Sequence, residues 1–103
     1  MSLNRVPPAD CRSMEEVRRG VDRLDEEIVA LLAERFRYMD AAARIKPNRE
    51  AVRDEWRKAD VLAKVRARAE REGAPCGRLA LLYESLVEAS ISYELERYDA
   101  TRG

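Results

Sequence analysis

The chain has 103 residues, 46% of them apolar and 39% charged, with twenty basic side chains balancing twenty acidic ones and no histidine. That length and composition point to one helical domain, and the zero net charge argues against a general nucleic-acid binder, which needs a basic footprint. No apolar run approaches the roughly 20 residues of a membrane span, and Cys11 and Cys76 without any histidine cannot build the usual zinc site from one chain.

Residues 1–12, with Pro7, Pro8 and Cys11 and no periodicity, are predicted to form an extended N-terminal lead-in. Met1-Ser2-Leu3 reads equally as a native start or a cloning remnant. The polar opening is not a signal peptide, and two cysteines fit reduced thiols, so a cytoplasmic protein is expected. The helical domain is predicted to occupy residues 13–98. Ser13 and Glu16 form a capping-box pattern. From there Met14, Val17, Val21, Leu24, Ile28 and Leu31 step by three and four in a seven-residue repeat. Carried forward, the repeat passes through Arg35, Tyr38, Ala42 and Ile45 until Pro47 and Asn48 stop the helix after Lys46. Such a helix is about 50 Å long, against a radius of gyration near 13 Å for a globule of about 100 residues. It overhangs its own domain, and its seam calls for a second copy of the chain. Arg35 lies on the seam, where a guanidinium that cannot shed its proton needs an anionic partner. Lys46, eleven residues on, is about 20° round and roughly 16 Å along the same helix.

A second helix is predicted from Val52 or Arg53 to Arg71, with Val52, Trp56, Ala59, Leu62 and Val65 as its stripe and Gly73-Ala74-Pro75 as its end. A third runs from Gly77 to Tyr98. Its adjoining stripes, Leu79-Leu82-Leu86-Ala89-Tyr93 and Tyr83-Val87-Ser90-Ile91-Glu94, predict a well-buried helix. Glu94 interrupts its stripe as Arg35 interrupts the first. Residues 99–103 are predicted to be a polar tail. The fold class is all-α, with one very long helix and two shorter ones.

The sequence has no glycine-rich phosphate loop and no imidazole to activate a thiol, so neither nucleophilic nor metal chemistry is indicated. Cations on apolar faces beside an embedded carboxyl suit catalysis by binding, in which a small dianion is held and developing charge is stabilised. Each residue also has a plainer reading. Arg35 would pair with a carboxylate of another helix, and Glu94 as that partner would explain both without a ligand. Lys46 would cap its helix dipole, Arg18 would be a surface arginine, and Arg53 with Arg57 would be a solvated pair.

Val17-Arg18, Val21-Asp22-Arg23-Leu24-Asp25, Ile28, Leu31-Leu32, Arg35, Ala42 and Lys46, then Val52-Arg53-Asp54, Arg57 and Leu62, resemble the helical chorismate mutases. The resemblance covers about Ser13 to Tyr98. It implies an intertwined homodimer of three-helix chains that converts chorismate, a dicarboxylate, to prephenate by a pericyclic shift without cofactor, metal or covalent intermediate, on the route to aromatic amino acids. By resemblance, Arg35 would hold one carboxylate together with Arg18 of the partner subunit, and Arg57 would hold the other. Asp54 and Ser90 would line the site, and Lys46 would donate to the ether oxygen as its C–O bond breaks. Arg18 and Arg35, roughly 25 Å apart along one helix and about 100° apart around it, could meet one ligand only if an antiparallel partner supplied one of them.

Two positions depart from the common pattern. Glu94 stands where a glutamine often donates to the same ether oxygen. A carboxylate only accepts, so activity would require Glu94 to be protonated in the complex. Lys58, counted among the substrate-binding positions, stands where many members place a glutamate that accepts from the ring hydroxyl, and an ammonium cannot accept. The lead-in from Pro8 to Ser13 and the segment from Tyr38 to Lys46 also resemble isochorismate-pyruvate lyase, which makes salicylate and pyruvate. A non-catalytic dimerisation or regulatory module is a third reading. The retention of Arg18, Arg35, Lys46 and Arg57 speaks against it.

Overall fold

The computed structural model describes residues 6–102, so Met1-Ser2-Leu3 lies outside the described residues. The structure has three helices, α1 (Met14–Ile45), α2 (Glu55–Glu72) and α3 (Cys76–Arg102), with one 3-10 turn before α1 and another between α1 and α2, and no strand occurs among the described residues. The chain divides into two compact units at residues 37 and 38, within α1. No described helix is long and apolar enough to cross a membrane.

In the first unit the lead-in is not fully extended, because Asp10 N–H donates to Pro7 O at 2.9 Å and closes a 3-10 turn over Pro8–Asp10. The predicted capping box forms with one partner shifted. Ser13 Oγ accepts from Glu16 N–H at 3.2 Å, while Glu16 Oε1 accepts from Arg12 N–H at 2.8 Å. The apolar seam Met14, Val17, Val21, Leu24, Ile28 and Leu31 is between 36% and 65% exposed in the single chain. A stripe of that length in water has no stabilising role, since burial is what makes an amphipathic face favourable.

The second unit contains the end of α1, α2 and α3. Its core is small: Val52, Val87 and Ile91 are buried together, with Val61, Tyr83, Leu95 and Tyr98 packed against them. α2 begins at Glu55, later than the stripe predicted, because two caps divide the preceding segment. Asn48 accepts from Ala51 N–H at 2.9 Å and closes the 3-10 turn Arg49–Ala51. Asp54 then accepts from Arg57 N–H at 3.0 Å as the N-cap of α2. Val52, between them, turns into the core. Trp56 consequently lies outside the buried stripe and is 89% exposed.

α2 ends as predicted. Gly73 takes φ 68°, with Gly73 N–H donating to Glu70 O at 3.1 Å and Ala74 N–H to Ala69 O at 2.9 Å. α3 departs from the prediction in two ways. Of its two stripes, Val87, Ser90, Ile91 and Glu94 are buried, but Leu82 is exposed in the single chain. The predicted polar tail is helical to Arg102, since no glycine or proline interrupts the sequence after Gly77 before position 103. Thr101 Oγ1 hydrogen-bonds back to Arg97 O and Tyr98 O, and Asp99 pairs with Arg49 at 3.0 Å.

Candidate active site

Pro47 ends α1 immediately after Lys46, whose N–H makes a last helical bond to Ala42 O at 2.9 Å. The lysine side chain then turns across to α3. Its Nζ lies 2.7 Å from Glu94 Oε2 and donates to Val52 O at 3.3 Å. The carbonyl is available there because Val52 is anchored in the core beside Val87 and Ile91. Glu94 is one helical turn from Ser90 and is 3% exposed. Its Oε2 meets Lys46 as an ion pair without hydrogen-bond alignment. A carboxylate so deeply buried depends on a close cation such as this one, and an inserted ligand atom would compete for both groups. Within the second unit the close cation of Glu94 is Lys46.

Ser90 is buried on the same face of α3, with Oγ donating to Leu86 O at 2.7 Å. Asp54 is the α2 cap described above. Arg57 pairs with Asp60, one turn on, at 2.7 Å, and is largely exposed. This local contact in water is worth little and is easily exchanged for a ligand carboxylate. In the first unit Arg18 is exposed and Arg35 half-buried.

Lys58 belongs to a charge cluster that the sequence did not reveal. Its Nζ contacts Glu84 at 2.6 Å and Glu88 at 2.7 Å, and Arg53 contacts Glu88 at 2.7 Å and Glu55 at 3.0 Å. Hydrogen bonds from Arg53 and then Lys58 hold Glu88 down to about 2, and those to Glu84 and Glu88 push Lys58 up to about 12. Glu84 and Glu88 share a face at i, i+4, which was readable; their cation on α2 was not. Two further ties escaped the sequence reading. Asp40, in the last turns of α1, accepts from Tyr93 at 2.8 Å and from Arg97 at 3.2 Å. Arg102 donates to two carbonyls at the end of α1. No cluster of three or more His, Cys, Asp or Glu suited to a metal ion occurs among the described residues.

The architecture is that of an all-α protein of three helices, with a half-buried lysine against a buried carboxyl where α1 ends against α3. Residues 17–95 match the family described as chorismate mutase type II, and the chain belongs to that family of enzymes. It is also 29% identical over 96 residues to the isochorismate pyruvate lyase of Pseudomonas aeruginosa, a match that covers 93% of this chain and 95% of the relative.

Proposed function

We propose that this protein is a chorismate mutase, converting chorismate to prephenate in a cationic cage. The observation that carries the reading is the pair formed by half-buried Lys46 and buried Glu94, 2.7 Å apart, in a chain of this family. In the rearrangement one C–O bond breaks as a C–C bond forms within the same molecule, and negative charge builds on the ether oxygen. Nothing is added or removed, so the protein's task is to hold the reactive conformer and to meet that oxygen with donors already in place. Lys46 Nζ donates to it, Glu94 in its protonated form donates from the other side, and Arg35, Arg57 and Arg18 of the partner subunit hold the two carboxylates. Asp54 and Ser90 line the site beside Lys58, which serves the ring hydroxyl only as a donor.

The lyase reading is favoured by one observation, the similarity to a curated isochorismate pyruvate lyase along 93% of the chain. Both reactions break the same kind of ether bond and make the same demand on Lys46. Incubation with chorismate and, separately, isochorismate, with products resolved by chromatography, distinguishes them. Prephenate from chorismate is expected. Salicylate and pyruvate from isochorismate, with chorismate left intact, would assign the lyase.

The cage is complete only in a homodimer, and the exposed α1 seam supports one. Each aliphatic side chain of this kind contributes about 1.5–3 kcal/mol when fully buried, so covering even part of the seam offsets the cost of association. The wild type is expected to sediment as a dimer. Ile28→Arg, which places a cation in mid-seam, is expected to sediment as a monomer without turnover. An active Ile28→Arg monomer would remove the partner subunit's Arg18 from the site.

A further inference from the structure

Lys46 sits where a helix is hardest to hold. The last carbonyls of α1 have no amide four residues ahead, and Pro47 lacks the N–H that would have met Ala43 O. Ala43 is 1% exposed, so its carbonyl needs a partner within the protein. Arg102 supplies one from the far end of α3. Its Nη1 donates to Ala43 O at 2.9 Å and its Nη2 to Lys46 O at 2.8 Å. The guanidinium lies over Tyr98, with Cζ 4.1 Å from the ring centroid, and Tyr98 packs against the Val52, Val87 and Ile91 cluster. Asp99, in the same turn, grips Arg49 just beyond Lys46.

We propose that Arg102 is a positioning residue for Lys46, with the last turn of α3 acting as a clamp on the backbone that presents the lysine. The catalytic part of this proposal rests on the reading of Lys46 as donor to the ether oxygen; the clamp itself rests on geometry alone. A planar fork with two donors suits two carbonyls of one helix end better than a single ammonium does. Lys46 acts on charge that develops in the transition state, so a loosened backbone lowers kcat more than it raises KM.

The test compares the wild type with Arg102→Ala, Arg102→Lys and Arg97→Ala. Arg97→Ala removes the ion pair to Asp40 from the same end of α3 and leaves the carbonyls of Ala43 and Lys46 untouched. Amide hydrogen exchange is read at Lys46, Ala51 and Val52, and kcat and KM are measured with chorismate and isochorismate well below the melting temperature. In Arg102→Ala these amides are expected to exchange several-fold faster and kcat to fall about tenfold with KM nearly unchanged, the scale set by a small misplacement of a catalytic group. Arg102→Lys is expected to keep the charge and recover only part of kcat, and Arg97→Ala to resemble the wild type. Unchanged exchange in Arg102→Ala would overturn the clamp whatever the turnover. Faster exchange with unchanged kcat would overturn the positioning role, and equal effects in Arg97→Ala would reduce both to general loosening of α3. A wild type inactive on both substrates would refute the functional reading and with it the catalytic role of Arg102, while exchange would still decide the clamp.

Discussion

Replacing Lys46 by alanine is expected to lower turnover by about 10²–10³-fold, the loss that follows removal of one donor from a developing oxyanion. The variant also has a structural consequence that must be separated from the catalytic one. Glu94, 3% exposed, would lose the cation 2.7 Å from its carboxylate. It would then have to remain a buried carboxylate without a partner or take up a proton, and either state makes folding less favourable. A double variant, Lys46→Ala with Glu94→Gln, resolves the two effects because glutamine carries no charge to bury. The melting temperature of the double variant is expected to recover toward that of the wild type while turnover stays low. If Lys46→Ala kept near-wild-type kcat, the lysine would be a structural counter-ion and the cage would have to work without it.

The fold was largely legible because its signals are local. The seven-residue repeat places α1, Pro47 ends it, and Gly73 ends α2, each by a rule that acts within a few residues. The boundary that moved, the start of α2, depended on a competition between two caps, Asn48 and Asp54, on either side of a core residue. Stripe periodicity alone is blind to that competition. The site was legible as a set of residue types and not as a set of pairs. Arg35 and Glu94 each interrupt an apolar face, and nothing local says that Glu94 meets Lys46. Arg102 lies 56 residues from the carbonyl of Lys46 that it holds. Its role follows from the missing N–H of Pro47, and only the packing of α3 against the end of α1 shows which donor replaces it. Lys58 was recognised as a departure, but its explanation needed Glu84 and Glu88 from another helix.

The replacement Glu94→Gln is expected to convert a sloping pH–rate profile into a flat one. For the wild type the sign follows from donor chemistry. A carboxyl donates to the ether oxygen only while it carries its proton, so kcat is expected to be higher at acidic than at alkaline pH. An amide donates at every pH, so the glutamine variant should match or exceed the wild type at neutral pH and converge with it on acidification. The charge cluster around Lys58 does not compete for this assignment. With Glu88 held near 2 and Lys58 near 12, that pair keeps its charges across the range in which an enzyme is assayed. The measurement is kcat against pH for both proteins on the same substrate, with folding verified at each pH. A flat wild-type profile, or an inactive glutamine variant that remains folded, would mean that Glu94 serves Lys46 as a counter-ion and gives no proton to the reaction. The ether oxygen would then depend on Lys46 alone.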